Sequence, residues 1–216
     1  MIELSGNQFL TIAEVFGTFA FAVSGATAAI QNRYDLFGIL VLAFATAIGG
    51  GTIRDLLVGN LPVSWLSNSL AIWSVFAGFL LTVTLRSRIC KVQSWIFFFD
   101  AVGLGLFTVM GVQVGIHAEM DVGIAIALGT ITRCFGGVVR DVLSGSRPLI
   151  FRKEIYATAS IIGGLIYTGL LFQFDEGIVI QAIAIVCTIT IRFVAYHYQL
   201  GLPQFSYEHT ERTPSE

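Results

Sequence analysis

The chain has 216 residues, of which 55% are apolar and only 12% are charged, and its formal net charge is -2. The mean hydropathy is +0.80, whereas a soluble domain usually carries about twice this charged fraction. Too little polar surface is available to cover such a chain in water. The composition therefore excludes a water-soluble fold and a disordered chain, gives no reason to expect a nucleic-acid partner, and predicts an integral membrane protein.

Seven stretches are apolar over about the 20 residues that a membrane-spanning helix needs. They are 9–30, 36–57, 66–86, 95–116, 121–143, 155–173 and 177–196. The short connections leave no room for a globular domain, so the prediction is an all-α membrane protein. Residues 1–8 contain no Lys or Arg, so no cleavable signal is expected. The polar segment 201–216 is expected to be a flexible tail.

Basic residues are distributed unevenly about these spans. An odd number of spans places the termini on opposite sides, and the positive-inside rule then predicts an N-terminus outside and a cytoplasmic C-terminus. The cytoplasmic face would carry Arg33, Arg86, Arg88, Lys91, Arg147, Arg152, Lys153, Arg192 and Arg212. The favoured interpretation of these charges is topology. Anionic lipid headgroups are the alternative partners of Arg86, Arg88, Lys91, Arg152 and Lys153.

The chain repeats itself at an offset of 86 residues. The segment GGTIRDLLVGNLP at 50–62 aligns with GGVVRDVLSGSRP at 136–148, with seven of 13 positions identical, against about one expected by chance. Each copy holds three spans, so the second copy would enter the membrane from the opposite side. The sequence predicts inverted repeats over 9–86 and 95–173, with 177–196 as a seventh helix, and a permeation or substrate site near the midplane.

Glycine runs lie at the same place in both copies. Gly49, Gly50 and Gly51 fall within the second predicted span, and Gly136 and Gly137 fall within the fifth. Such runs weaken a helix and favour a kink or backbone exposed to a wet cavity. Close helix packing is the alternative. We favour hinges lining a cavity.

Charge inside a membrane span is costly and usually faces a partner or a water path. The intramembrane charges singled out here are Glu14, Arg54, Asp55, Asp100, Arg133, Arg140 and Asp141. Adjacent residues on a helix point in different directions, so Arg54 and Asp55 are expected to find partners elsewhere. We expect one charge cluster across spans 1 and 2 and another across spans 4 and 5. Salt bridges that only fix the helix register are the alternative.

Arg133 differs from the other charges because its repeat mate is Ala47. A lone guanidinium in the middle of a span is expensive, so Arg133 should meet a carboxylate, a helix C-terminus or water. It is the first candidate for a gating or selectivity residue.

The doubled motif, set in two three-span repeats plus a seventh helix, resembles the trimeric intracellular cation (TRIC) channel family in its prokaryotic branch. The resemblance runs from about Phe9 to Tyr196. It implies a homotrimer in the bacterial plasma (inner) membrane, with a pore in each protomer that conducts monovalent cations, K⁺ above Na⁺. It also implies pore-lining kinks at the glycine runs, although Phe135 replaces the first glycine of the second run.

Other functions remain as alternatives. The prokaryotic branch also resembles sequences labelled glycine transporters, so a secondary transporter of a small solute is the second candidate, although so small a protein has little mass for a moving bundle. An enzyme is disfavoured because the sequence has no H-E-x-x-H or nucleophile motif. Cys90, Cys134 and Cys187 are scattered and are interpreted as packing residues. No metal or other cofactor is expected.

Overall fold

The structure is a computed structural model that describes residues 6–86, 94–151, 155–175 and 177–202, without the side chains of residues 6–10 and 94. Eight α-helices form within these ranges, so the prediction of an all-α fold is confirmed. They are α1 (Gly6–Gln31), α2 (Leu36–Val58), α3 (Ser64–Ser67), α4 (Ser69–Thr84), α5 (Ser94–His117), α6 (Val122–Leu143), α7 (Ala157–Leu171) and α8 (Ile178–His197), with a 3-10 helix at Leu149–Phe151.

Five of these helices, α1, α2, α5, α6 and α8, are long and apolar enough to cross a membrane. The helices α4 and α7 are shorter than the predicted spans 66–86 and 155–173, with 16 and 15 residues. They rise about 24 Å and about 22 Å, against a hydrocarbon core of about 30 Å. Asn68 sets one boundary, because its side chain caps α4 by accepting a hydrogen bond from the Leu70 N–H at 3.0 Å.

The helices form two groups of three. The first group packs α1, α2 and α4 against one another, and the second packs α5, α6 and α7. The groups meet where α1 contacts α5 and α2 contacts α6, while α8 lies against α5 and α7. One apolar core fills the first group and its contact with α5, and a second lies among α5, α6, α7 and α8.

Large apolar side chains cover the outside of this bundle. Leu36, Phe37, Trp73, Phe172 and Val179 are each more than half exposed, and many others are partly so. Exposed apolar patches of this extent are unfavourable in water but match hydrocarbon. The protein is therefore a membrane protein, as its composition predicts.

The helices continue through both glycine runs. Helix α2 continues through Gly49, Gly50 and Gly51, and α6 continues through Gly136 and Gly137. A side chain at Gly50 would overlap the carbonyl oxygen of Thr132, and a Cβ on Gly136 would lie 2.5 Å from the carbonyl oxygen of Thr46. These two glycines therefore allow α2 and α6 to cross closely, which is a common use of small residues in membranes.

Candidate functional site

The repeated motif folds in the same way in both copies. Gly59 and Gly145 end the helical segments with φ of 76° and 68°, a left-handed conformation that glycine adopts most readily. After each glycine, the backbone turns back toward the aspartate of the motif. The Asn60 N–H donates to the Asp55 carbonyl at 2.8 Å, and the Ser146 N–H donates to the Asp141 carbonyl at 2.8 Å.

The carboxylate of each aspartate then accepts a hydrogen bond from a backbone N–H of the loop that follows its helix. Asp55 Oδ2 accepts from the Ser64 N–H at 2.7 Å, and Asp141 Oδ2 accepts from the Leu149 N–H at 3.0 Å. Loop amides that would otherwise be unsatisfied in an apolar environment are thereby paired. The motif thus forms a turn after the helix, and this turn fixes the position of one carboxylate oxygen of the aspartate.

The other carboxylate oxygen binds the neighbouring arginine. Arg54 Nε lies 2.8 Å from Asp55 Oδ1, and Arg140 Nε lies 2.8 Å from Asp141 Oδ1. The expectation that adjacent residues would not pair is therefore wrong. Their Cα–Cβ bonds do diverge, but the arginine side chain is long enough to curl back to a carboxylate that the loop holds in place.

Each arginine also crosses to the other half of the chain. Arg54 Nη1 lies 2.9 Å from the sulfur of Met110, and Arg140 Nη1 lies 2.7 Å from the Ser24 hydroxyl. Arg140 Nη1 also lies 2.8 Å from Asp100 Oδ1 within its own half. Ser24 and Met110 occupy equivalent positions at the offset of 86 residues. The two Arg-Asp pairs therefore make reciprocal contacts, each reaching the helix of the opposite copy.

The first charge cluster borders a small cavity, cavity 1, of about 20 Å³. Glu14, Arg54 and Asp55 all line it, so the structure brings together the three residues expected at this level. Ala47, Gly51, Ser64 and Phe107 are also in its wall. A volume of this size holds about one water molecule.

The second charge cluster borders a larger opening, cavity 2, of about 390 Å³. Asp100, Arg140 and Asp141 line it together. Its wall is completed by Gln31 and Asn32 at the end of α1, Ser144 and Ser146 after α6, and Arg192 and Tyr196 of α8. Among the described residues, the two cavities share no lining residue.

Arg133 lies at the centre of the second cluster with a side chain that is 0% exposed. Its Nη2 lies 2.5 Å from Asp100 Oδ2 and 3.1 Å from the Asp100 carbonyl oxygen. Asp100 thus joins Arg133 and Arg140 in one buried network, and Arg133 meets a carboxylate, one of the three partners expected for it. The rings of Phe21 and Tyr156 cover the guanidinium at 4.7 Å and 4.6 Å.

Comparison with known proteins shows which family the chain is related to. A family model described as glycine transporter matches residues 11–87 and 97–171. A UPF0126 membrane protein of Vibrio cholerae is 39% identical over 93% of this chain and 84% of its own length. The UPF0126 inner membrane protein YadS of Escherichia coli is 37% identical over 92% of this chain and 97% of its own length.

Solved structures agree with these relatives. The TRIC channel orthologue from Rhodobacter sphaeroides superimposes with a TM-score of 0.84 at 30% identity, covering 88% of this chain and 98% of that one. A structure reported as the basis for conductance through TRIC cation channels gives a TM-score of 0.82 at 34% identity, covering 93% and 98%. The chain belongs to the TRIC family. This TRIC family member also shares the fold of a prokaryotic TRIC channel crystallised in 0.5 M KCl, with a TM-score of 0.83.

Two residues of this TRIC chain were missed by the reasoning from sequence. Arg192 was assigned to a basic face, yet it is 1% exposed, and its Nη1 donates to the Ile155 carbonyl at 3.0 Å. Its position inside the predicted span 177–196 was the available signal, because an ionisable residue within a span is usually functional. Tyr156 carries no such signal in the sequence, because a tyrosine near a span end is ordinary.

The residues suggested as lipid contacts lie mostly outside the described part of the TRIC chain. Arg88, Lys91, Arg152 and Lys153 fall in the undescribed ranges, whereas Arg86 is exposed just beyond α4. Most of the tail 201–216 falls outside the described residues as well.

Proposed function

We propose that this protein is a channel for monovalent cations, permeable to K⁺, with a conduction path inside each protomer between α2 and α6. The observation that carries the proposal is the placement of the two cavities. Cavity 1 reaches Glu14 and cavity 2 reaches Ala28. These residues lie about 21 Å apart along α1. A pore that is closed in the middle is expected to leave a separate cavity on each side of the closure. Here each cavity ends at one of the two equivalent Arg-Asp pairs.

Arg133 is the proposed barrier between the two openings. Its repeat mate Ala47 lines cavity 1, whereas at the equivalent place in the second half the guanidinium of Arg133 is packed against Asp100, Phe21 and Tyr156. The second half therefore holds a buried cation where the first half holds a cavity. Displacing this side chain would extend cavity 2 toward the centre. A buried positive charge also opposes passage of K⁺ as long as it stays in the path.

The charges around cavity 1 favour cations. Glu14 and Asp55 provide two carboxylates there against the single guanidinium of Arg54. The lining of cavity 2 holds two acids, Asp100 and Asp141, and two arginines, Arg140 and Arg192. An excess negative charge at a narrow opening concentrates cations. Glu14 is therefore the proposed cation-attracting residue, and the paired Arg54, Asp55, Arg140 and Asp141 fix the walls of the path.

The glycines are proposed to permit the movement that opens the path. Gly50 and Gly136 hold the crossing of α2 and α6, while Gly51 faces cavity 1. Gly49 and Gly137 extend the weakened segments next to this crossing. Helices that touch through glycine lack interlocking side chains at the contact, so a small tilt there would displace Arg54 and Arg140 together.

The proposed architecture is a pair of inverted three-helix repeats, 9–86 and 95–173, followed by a seventh spanning helix at 177–196. Reciprocal contacts support it, because Gly50 meets Thr132 while Gly136 meets Thr46, and these pairs exchange at the offset of 86 residues. A self-complementary interface of this kind is typical of twofold symmetry. The basic residues support an outside N-terminus and a cytoplasmic C-terminus.

The remaining proposals rest on the relatives. YadS is described as an inner membrane protein, which supports the bacterial plasma membrane. The R. sphaeroides structure is described as a trimeric channel, which supports a homotrimer. Headgroup contacts of Arg86, Arg88, Lys91, Arg152 and Lys153 remain a proposal based on charge.

A carrier of a small zwitterion such as glycine is the second candidate. The description of the matching family model favours it, and cavity 2 offers acidic and basic side chains together. Reconstituted vesicles separate the two functions. We expect rapid K⁺ efflux and no saturable uptake of labelled glycine. Saturable glycine uptake with K⁺ efflux no faster than in protein-free vesicles would replace the channel by the carrier.

A further inference from the structure

A continuous series of stacked rings and guanidinium groups connects the centre of the molecule to the rim of cavity 2. It begins at Phe107 and passes through Phe21, Arg133, Tyr156, Arg192 and Phe97 to Tyr196. The successive separations are 5.1, 4.7, 4.6, 5.1, 5.1 and 3.9 Å. A guanidinium over an aromatic face is attracted to it, more strongly where water is excluded. The series links α8 to the buried charge network.

Tyr156 holds the middle of this series. Its ring contacts the guanidinium of Arg133 and that of Arg192, and the residue is 1% exposed. Two guanidinium groups repel each other as like charges, and the ring supplies negative π density to both. Because Tyr156 precedes α7, it belongs to neither of the helices whose arginines it joins.

The hydroxyl of Tyr156 has a different environment from its ring. Among the described residues its oxygen has no hydrogen-bond partner, although it is buried. A Cβ on any residue other than glycine at position 137 would lie too close to this oxygen. Gly137 therefore provides space for Tyr156, which explains a glycine that does not lie at the crossing of α2 and α6. An unpaired buried hydroxyl is costly, so the favourable contacts of Tyr156 among the described residues are those of its ring.

Arg192 connects this ring to α8. Its Nη1 donates to the Ile155 carbonyl, immediately before Tyr156, and its side chain lines cavity 2. A displacement of α8 therefore moves both the backbone that carries Tyr156 and the cation stacked on its ring. Arg133, whose guanidinium also contacts this ring, has no hydrogen-bond partner at Nε or Nη1 in the described part of the chain. The stacking contacts thus restrain the part of its guanidinium that Asp100 does not bind.

We propose that Tyr156 is a positioning residue that couples the position of α8, through Arg192, to the position of Arg133. Its effect on K⁺ flux rests on the proposed channel function, whereas its effect on the local structure does not. A shift of Arg192 would release the ring, and Arg133 would then leave the place that closes the end of cavity 2.

Cys134 gives a readout that does not depend on conduction. It neighbours Arg133, packs in the same buried cluster as Tyr156, and is 4% exposed. With Cys90 and Cys187 replaced by Ser, the rate at which an uncharged maleimide labels Cys134 reports how often this cluster opens. The reagent is uncharged because a substitution of Arg192 changes the charge in cavity 2. The approach of a neutral reagent to Cys134 does not depend on that charge.

The experiment is a double-substitution cycle in full-length protein in lipid vesicles, with labelling of Cys134 and K⁺ efflux measured together. Arg192→Gln should speed labelling by about fivefold, the order expected for a lost cation–π contact. Tyr156→Leu should speed it at least as much. Arg192→Gln added to Tyr156→Leu should then change little, because the coupling element is already lost. Rate increases that multiply in the double variant would overturn the proposal.

Three further variants sharpen the result. Tyr167→Leu removes an equally buried tyrosine from α7, and acceleration of Cys134 labelling equal to that of Tyr156→Leu would show general loosening and overturn the coupling. Tyr156→Phe keeps the ring, so Arg192→Gln should still speed labelling in that background even if Tyr156→Leu does not fold. Arg192→Lys keeps the charge without the planar stack and should fall between Arg192 and Arg192→Gln. Absence of K⁺ efflux in the unsubstituted protein, with the labelling cycle as expected, would reject the channel but retain the coupling.

Discussion

The rings of Phe21 and Phe107 stack with their centroids 5.1 Å apart, although these residues are repeat mates separated by 86 positions. Such a contact is expected at the axis of the proposed inverted repeats. The neighbouring contacts exchange in the same way, since Gly17 faces Phe107 and Gly103 faces Phe21. The charge network departs from this symmetry at Arg133, and the proposed function depends on that departure.

Arg133→Ala should increase K⁺ efflux from vesicles, because it replaces the proposed barrier with the residue found at the equivalent place in the first half. It should also lower the melting temperature, since Asp100 loses one of the two arginines that bind its carboxylate among the described residues. Loss of one member of a buried ion pair costs about 3 kcal/mol. Efflux and thermal unfolding should be measured on the same preparation.

The matched control for this change is Ala47→Arg, which would place a guanidinium beside cavity 1. We expect it to suppress K⁺ efflux. If Arg133→Ala lowered the melting temperature with no gain in efflux, Arg133 would be a structural ion-pair partner only.

Gly50→Ala should destabilise the protein, because the new methyl group would overlap the Thr132 carbonyl at the crossing of α2 and α6. Overpacking of this kind costs about 1–3 kcal/mol. Gly49→Ala is the control, because the nearest atom to its new Cβ is Val139 Cγ2 at 3.6 Å. The melting temperatures of the two variants should differ clearly. Equal melting temperatures would mean that the crossing is looser than described.

Glu14→Gln should reduce K⁺ conductance about twofold at low ionic strength, because it removes the excess carboxylate at cavity 1. The reduction should fade in high salt, where the Debye length falls below about 5 Å. Glu119→Gln is the control, since it makes the same change of charge in an exposed loop. A reduction that does not depend on salt would point to altered packing rather than attraction of cations.

Asp141→Asn should lower the melting temperature, because the charged acceptor of the Arg140 Nε and of the Leu149 N–H is lost. Hydrogen bonds to charged groups contribute about 1.5–3 kcal/mol. Asp121→Asn is the matched control, because Asp121 precedes α6 without a side-chain capping bond. A similar loss in both variants would argue against a specific role for the repeated motif.

Reasoning from sequence succeeded where the repeat could be compared with itself. Neighbouring antiparallel spans were expected to bring Glu14 to the level of Arg54, and the offset of 86 residues repeats this arrangement for Asp100 and Arg140. The lack of an equivalent charge at Ala47 also singled out Arg133 before its partner was known. Hydropathy located the helices well but overestimated the lengths of α4 and α7, because apolar flanks resemble helix when no capping residue is considered.

The errors arose from side-chain reach and tertiary contacts. The pairing of Arg54 with Asp55 was missed because the loop after Gly59 fixes the carboxylate, which the sequence separation does not reveal. Close helix packing was only the alternative interpretation of the glycine runs, since helix propensity does not show that α6 lies against Gly50. Tyr156 could not have been identified, because its role depends on two arginines that are distant in the sequence.

The most direct test is a recording from purified protein in a planar bilayer with K⁺ on both sides. The proposed path predicts discrete unitary currents whose reversal potential follows an imposed K⁺ gradient, and a higher open probability in Arg133→Ala. A silent bilayer, from protein that takes up glycine saturably in vesicles, would contradict a conducting path along α2 and α6.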